Sequence, residues 1–280
     1  MTTRLLITYN SADALHRYGL EPAGIKTCVV DNGSSDETCA TARALGFTVT
    51  ALGTNIGFGA AIMRGLAQID DDLVFVANPD IKTDENAIGA LVDAAKRYPE
   101  ADLFVPAIKR GDGRTFFRYE SQFDERALHR VPPSNEACIR IMSGAAMLVR
   151  RKSFLNHGFD PEIFLYFEDD DLSMRYAAEK RQIIYVPQSE VFHGANDSSS
   201  FSRATERLKN LSFGWSWGYV MEKHGKGNAK ETTRRLLWRA LIAFLSLRPR
   251  RLRRHLEVRE GMLHYLNGIS AASLARELRS

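Results

Sequence analysis

The 280-residue chain is poor in the residues that define several protein classes. It has three cysteines, Cys28, Cys39 and Cys138, and no two of them stand at CxxC spacing. That excludes a CxxC zinc or dithiol motif and a disulfide framework of the kind that staples small secreted domains, and a reducing compartment is expected. No stretch reaches the roughly 18 to 20 apolar residues that span a bilayer. The first residues, MTTRLLITYNSADALHR, lack the apolar core and cleavage signature of a signal peptide, so a soluble or peripheral protein is expected. There is no internal repeat. Hydrophobic residues make up 44% and charged residues 26%, proportions that exclude a disordered chain. Neither sign of charge dominates: 38 Lys and Arg face 34 Asp and Glu, a formal net of +4.

That small excess is unevenly placed. Arg234, Arg235, Arg239, Arg248, Arg250, Arg251, Arg253 and Arg254 follow one another with no acid between the first and the last, whereas the body of the chain carries Asp70-Asp71-Asp72 and Glu168-Asp169-Asp170-Asp171. A basic tail on a balanced body suits a polyanionic surface, either anionic lipid or nucleic acid. Leu236, Leu237, Trp238, Leu241, Ile242, Phe244 and Leu245 lie among these arginines at spacing that suits an amphipathic helix on an anionic membrane. The alternative is a helix packed on the rest of the chain or on a partner subunit, with solvated arginines. The membrane surface is favoured over this, and nucleic acid is disfavoured because no nucleic-acid-binding motif is present.

The elements alternate. Arg4–Thr8, Lys26–Asp31, Thr48–Leu52 and Leu73–Ala77 read as short apolar strands, with helices at 37–45, 59–68 and 85–98 between and after them. Such alternation implies βαβ crossovers and a mostly parallel sheet covered on both faces. Ligands bind such sheets beyond the carboxyl ends of the strands, where this chain places Asn, Asp and Gly. Further strands are expected at 140–149 and 182–186, with a helix at 170–180 between them. A mostly helical region follows from residue 201, with Phe213, Trp215, Trp217 and Tyr219 close together. Two domains are expected, an α/β domain over 1–200 and a helical one over 201–280.

Four constellations carry chemistry. Asp31-Asn32-Gly33-Ser34-Ser35-Asp36 ends the second strand. Its serines and glycine suit a turn feeding a helix N-terminus, which leaves Asp31 as an acid at the ligand edge, able to accept from a base N–H or ribose hydroxyls. Asn55-Ile56-Gly57-Phe58-Gly59 is a truncated dinucleotide fingerprint with Ile62 where a third glycine would stand, and it follows the wrong strand. It is a weak NAD signal but a fair one for a phosphate or sugar at a helix N-terminus. Asn78-Pro79-Asp80 reads equally as a strand stop and as a hard oxygen ligand for Mg²⁺ or Mn²⁺ bridging a diphosphate. Glu168-Asp169-Asp170-Asp171 exceeds what helix capping needs, and mutual repulsion disfavours it unless a cation or proton transfer compensates. His193 follows the strand that comes after this acidic helix. On spacing alone it is a structural or exposed histidine more readily than a ligand. Gly144, in the strand expected at 140–149, allows close approach to the backbone.

Taken in order, ITYN (7–10), VVDNGSSD (29–36), NIGFGAA (55–61), NPD (78–80), SGAAMLVRR (143–151), GFDPEIFLYFEDDDLSMR (158–175) and VFHG (191–194) resemble the family 2 inverting glycosyltransferases with a GT-A fold, above all their rhamnosyltransferase-like branch. The resemblance covers about two-thirds of the chain. It implies that Thr8, Asn10 and Asp31 hold the nucleoside of a UDP- or dTDP-sugar such as dTDP-rhamnose, with Asn55 and Gly57 lining the same pocket and Asn78 and Gly144 beside it. Asp80 stands for the metal-binding carboxylate of the family's DxD motif, His193 for a position that binds metal or diphosphate, and Asp169 for the catalytic base. A divalent cation, Mn²⁺ or Mg²⁺, is the implied cofactor. The implied acceptor is a glycan or a lipid-linked glycan of surface-polysaccharide synthesis, made in the cytoplasm or on the inner face of the membrane. Three departures stand out: NPD lacks the first acid of a full DxD, Arg64 occupies a position where many members carry Asn, and Asp170 is an extra acid that leaves Asp171 and Glu168 as alternative bases. Two rival readings remain. A sugar-nucleotide pyrophosphorylase shares the α/β plan but would begin with a Gly-rich basic loop, which SADALHR is not. An inactive relative would serve as a membrane-associated scaffold or glycan-binding module.

Overall fold

The computed structural model of the chain describes residues 2–19, 24–118, 121, 123, 131–194 and 203–273. The domain boundary expected at 200/201 lies outside these residues. By their contacts the residues fall into two compact units, Met1–Phe159 with Leu172–Ser200 and Asp160–Asp171 with Phe201–Ser280.

The first unit is an α/β layer structure. Its strands are β1 (Thr2–Thr8), β2 (Thr27–Asp31), β3 (Thr48–Ala51), β4 (Leu73–Ala77), β5 (Ile81–Lys82), β6 (Leu103–Lys109), β7 (Thr115–Phe116), β8 (Ala137–Cys138), β9 (Ala146–Arg150) and β10 (Ile183–His193). They form one sheet in the order β3-β2-β1-β4-β9-β6-β10-β5, with β7 beside β6 and β8 beside β10. The β3-β2-β1-β4 half is parallel, as the βαβ alternation requires. The other half is mixed, because β9 runs antiparallel between β4 and β6 while β10 pairs parallel with β6. No short apolar run announces its direction, so this reversal was not foreseeable from patterning.

Strand side chains alternate between two cores. Leu5, Ile7, Val74 and Val76 face one cluster with Ala61, Ile62 and Leu66 of helix α3 (Phe58–Leu66) and Phe154 of α5 (Arg151–His157). Leu6, Phe75 and Ala77 face another, formed with Leu15 of α1 (Ala12–Tyr18), Ala42 of α2 (Thr38–Ala44) and Ile88, Leu91 and Ala95 of α4 (Glu85–Arg97). Both faces of the sheet are therefore covered, and the continuous apolar runs in the sequence are strands buried on two sides.

Two expected strands have different extents. The strand expected over 140–149 is regular only from Ala146. Ile141 and Met142 are buried without pairing, and the Ser173 hydroxyl accepts the Met142 amide at 3.2 Å, so apolar content there reports burial rather than strand geometry. The strand expected to stop at Pro187 runs on to His193, because a bulge between Val186 and Glu190 takes up the proline and restores pairing with Ala107.

The second unit is helical. It comprises α7 (Arg203–Lys223), α8 (Ala229–Leu245) and α9 (Pro249–Leu266), together with the start of α6 (Glu168–Ala178). Helices α7 and α9 touch backbone to backbone: a Cβ on Gly214 would lie 1.9 Å from the Val258 carbonyl oxygen, and one on Gly261 would lie 2.0 Å from that of Leu211. Phe164, Trp215 and Ala271 form a small core, with Trp215 stacked on Tyr219 at 5.1 Å and donating from Nε1 to the Ile269 carbonyl at 2.7 Å.

Candidate active site

Three parallel strands end side by side, and their carboxyl ends carry the first group of expected residues. Thr8 closes β1 and Asp31 closes β2, directly opposite in register. Both are buried, and the Thr8 hydroxyl donates to Asp31 Oδ1 at 3.1 Å. The Ser34 amide donates to Asp31 Oδ2 at 3.0 Å and the Ser34 hydroxyl to Oδ1. Asn10, held in the left-handed region at φ 50°, donates its amide to Ser34 Oγ and accepts the Ser35 amide on Oδ1, each at 2.8 Å. Asp31 is thus fixed by its own turn and keeps only part of its accepting capacity for a ligand. The Cys39 thiol is pushed above its ordinary value by burial and then by the Asp31 carboxylate, so it stays protonated and is no nucleophile at neutral pH.

Asn32 is a residue whose role the motif reading missed. Its Nδ2 donates to Asn55 Oδ1 at 2.9 Å and to the Gly57 carbonyl at 3.2 Å, while its Oδ1 accepts the Ile56 amide at 2.8 Å. One side chain therefore joins the turn after β2 to the glycine turn before α3, and it holds Asn55 and Gly57 in place. Gly33 makes that approach possible: at φ 81°, a Cβ there would lie 2.7 Å from the Thr54 carbonyl carbon. An Asn-Gly after an apolar strand signals a turn and no more, so this bridge has no signature of its own in the sequence.

The second group lies at the end of β4. The Asn78 amide donates to the Ala145 carbonyl at 2.9 Å, which places the buried Gly144 turn beside the strand end. Asp80 is completely buried, and neither of its carboxylate oxygens has a hydrogen-bond donor. His193 pairs with Ile81 across β10 and β5, and the Gly194 amide donates to the Asp80 carbonyl at 2.9 Å. This brings His193 Nε2 to 3.3 Å from Asp80 Oδ2, at an alignment that makes no hydrogen bond. A buried carboxylate without donors is costly unless a cation meets it. Among the described residues no group of three or more His, Cys, Asp and Glu gathers as a metal cage. Asp80 and His193 therefore fit a divalent cation that takes its remaining ligands from a diphosphate and water. Arg64 is exposed on α3.

The acidic run opens α6 and belongs, through Asp171, to the helical unit. Tyr166 and Phe167 precede it in the left-handed region, at φ 68° and 65°, where each L side chain costs about 1 to 3 kcal/mol. Phe213 of α7 packs on both rings, at 5.7 and 4.9 Å between centroids, and holds this turn. Glu168, Asp170 and Asp171 are buried, while Asp169 is half-exposed. Burial, reinforced by the Asp169 and Asp170 carboxylates, pushes Glu168 up to about 8, so it holds its proton at neutral pH. Asp171 receives Lys223 Nζ at 2.7 Å and His224 Nε2 at 2.8 Å. Burial would raise the Asp160 carboxyl, but Lys223, the Glu162 amide and Tyr219 together hold it below its usual range. Of the four acids, Glu168 holds its proton, Asp170 and Asp171 are buried, and Asp169 is partly exposed although its Oδ1 is enclosed.

Residues 5–158 match the family described as Glycosyl transferase family 2. A Mycobacterium tuberculosis protein named N-acetylglucosaminyl-diphospho-decaprenol L-rhamnosyltransferase is 32% identical over 204 residues, which cover 60% of this chain and 66% of that protein. The chain thus spans just under two-thirds of the length of this curated relative. Among solved structures, TarS of S. aureus in complex with UDP-GlcNAc aligns with a TM-score of 0.51 at 14% identity, covering 95% of this chain and 92% of that one. The mannosyltransferase PcManGT from Pyrobaculum calidifontis, in complex with GDP-Man and Mn²⁺, aligns with a TM-score of 0.51 at 12% identity, covering 95% and 86%. At such identities these two show the fold, the GT-A arrangement expected for the chain. With more than half of its length matched by the family, this chain belongs to glycosyl transferase family 2.

Proposed function

We propose that the chain transfers a sugar, with inversion, from a nucleotide-diphospho-sugar to a glycan on a lipid carrier, as a step of surface-polysaccharide synthesis. The observation that carries this reading is the Asp80 carboxylate, buried without a hydrogen-bond donor at the ligand edge of a family 2 chain. The relative's name specifies a rhamnosyl donor and a decaprenol-linked acceptor, which supports a deoxyhexose donor such as dTDP-rhamnose and a polyprenyl-linked acceptor here.

In this reading Thr8, Asn10 and Asp31 hold the nucleoside, and Asn55, Gly57, Asn78 and Gly144 line the cleft around it. Asp80 and His193 hold a divalent cation, Mn²⁺ or Mg²⁺, which when bound neutralises charge on the diphosphate. Inversion requires the acceptor hydroxyl to attack the anomeric carbon opposite the leaving diphosphate. Asp169 takes the proton of that hydroxyl as the new bond forms. It is the least enclosed residue of its run, although its Oδ1 is buried, and Asp171 is already engaged by Lys223 and His224. The half-domain division of labour is also part of the proposal: residues 1–200 carry nucleotide binding and residues 201–280 the helical extension. The setting is the cytoplasm, peripheral on the inner face of the membrane, with no nucleic-acid partner. Cys28, Cys39 and Cys138 form no disulfide with one another, which suits that reducing compartment. No helix among the described residues is long and apolar enough to cross a membrane.

Melting the protein with UDP, dTDP and GDP, each with and without Mn²⁺ or Mg²⁺, tests the donor site. A ligand at a hundredfold its dissociation constant adds about 2.7 kcal/mol. A metal-enhanced shift with one nucleoside diphosphate supports the transferase and identifies its base. Silence with all of them favours the inactive-scaffold reading. Asp169→Asn is expected to abolish transfer while leaving that shift intact. A variant that loses the shift but still transfers sugar refutes Asp169 as the base.

A further inference from the structure

Helix α8 has two apolar faces. Ala229, Thr232, Thr233, Leu236, Ala240 and Ala243 are its buried side, which corrects the placing of Leu236 on an exposed stripe. The opposite side remains apolar over the last three turns. Leu237, Leu241 and Leu245 follow one another at i, i+4 and i+8, with Trp238, Ile242 and Phe244 beside them. Exposure runs from 44% at Leu241 to 67% at Trp238 and 70% at Leu245. Leu247, in the turn that follows, is 88% exposed, and Leu256 of α9 is 44% exposed. Single exposed apolar residues are ordinary, but a contiguous row of this length marks a contact surface.

The charge around the row selects the kind of contact. Arg234, Arg235, Arg239, Arg248, Arg250, Arg251, Arg253 and Arg254 are all exposed, and no acid lies between the first and last. Glu231, the nearest acid before them, pairs with Arg235 at 3.8 Å, and Glu257, the nearest after, is buried and bound by Arg203 and Asn210. A second copy of the same face would bring this excess positive charge against itself. An anionic bilayer answers both features at once, with acyl chains for the leucine and tryptophan row and headgroups for the arginines.

We infer that the α8–α9 hairpin is an interfacial membrane-docking surface for anionic lipid, in which Leu237, Trp238, Leu241, Ile242 and Leu245 enter the acyl boundary and the arginines ring the headgroups. This deepens the reading of a transferase with a lipid-linked acceptor and rests on it for the biological setting. Trp238 is a built-in reporter, since Trp215 is buried and Trp217 half-buried.

The full chain is mixed with phosphatidylcholine vesicles containing about one-third phosphatidylglycerol, at low salt and at about 0.5 M KCl. Expected are co-sedimentation with the anionic vesicles, a blue shift of emission quenched by brominated lipid and absent in Trp238→Phe, and weakening of at least tenfold in high salt or in pure phosphatidylcholine. Ile242→Glu with Leu245→Glu is expected to reduce binding at least tenfold, while its metal-enhanced melting shift with the nucleoside diphosphate stays at the wild-type value. No binding to anionic vesicles at low salt overturns the inference, as does binding that the double variant retains. So does a dimer in sedimentation that shields Trp238 without lipid, or binding to an oligonucleotide that outcompetes the vesicles. If the melting shift is absent but vesicle binding is present, the transferase reading fails and the docking surface stands.

Discussion

At the scale of single residues, the clearest feature is a trade between stability and binding at Asp80. The carboxylate is fully buried and receives no hydrogen bond, so removing it relieves a desolvation cost and gives up only the 3.3 Å approach of His193. Asp80→Ala is expected to melt no lower than the wild type while losing the metal-dependent part of nucleotide binding. A variant that is destabilised by several degrees, or that keeps its metal dependence, would show that Asp80 is a structural acid. Glu168 gives a second expectation, in pH. The folded chain keeps its proton up to about 8, whereas an unfolded glutamate releases it near 4.5. Folding therefore takes up a proton between those values, and stability falls as pH rises through that window. Glu168→Gln, a neutral isostere, is expected to flatten the melting temperature between pH 5 and about 8.5; equal slopes in both proteins would mean that Glu168 is ionised in the fold. The places of Asp31 and Asp80 at strand ends were legible in the sequence, because each closes or follows a short apolar run bounded by turn residues. Asn32 was not, since an Asn before Gly satisfies every rule for a turn, and its bridge to Asn55 depends on a residue 23 positions away.

Elements follow a similar division. The strands β1 to β4 and the helices between them were legible, because apolar runs buried on both faces and punctuated by Asn, Gly and Pro have few other folds. The reversal of β9 and the continuation of β10 past Pro187 were not, because direction and bulges are decided by partners. That continuation sets His193 opposite Ile81 and so beside Asp80. The acidic start of α6 looks from its sequence like four equivalent carboxylates. Its packing sorts them, with Asp171 committed to Lys223 and His224. Lys223→Met is therefore expected to cost roughly 1 to 3 kcal/mol, since a buried carboxylate loses one of its charged partners. The check is chemical denaturation followed by far-UV circular dichroism. An unchanged midpoint would show that Lys223 only decorates the surface, which its contact with Asp160 also argues against.

For the whole molecule, composition shifts suggest a single cut near residue 200, but contacts are not ordered along the chain. Residues 160–171 pack with 201–280: Phe164 lies in the cluster with Trp215, the Ser216 hydroxyl donates to the Leu165 carbonyl at 2.9 Å, and Tyr219 donates to Asp160 at 2.9 Å. The turn that carries Asp169 thus draws its support from residues that follow it by some fifty positions. Sequence patterning reads local periodicity and cannot register that exchange. A chain ended at residue 200 would keep the strands and the residues at their carboxyl ends, yet leave Phe164 and Phe167 without Trp215 and Phe213, and the buried Asp171 without Lys223 and His224. Each loss has a known sign: bared aromatic surface favours association, and a buried carboxylate stripped of charged partners favours unfolding. The fragment is expected to aggregate or to melt without a cooperative transition, measured by light scattering and calorimetry beside the full chain. A soluble fragment with a sharp transition and the full-length nucleotide shift would instead mean that 160–171 can fold on the α/β unit alone, and that the helical unit serves only the surface it presents.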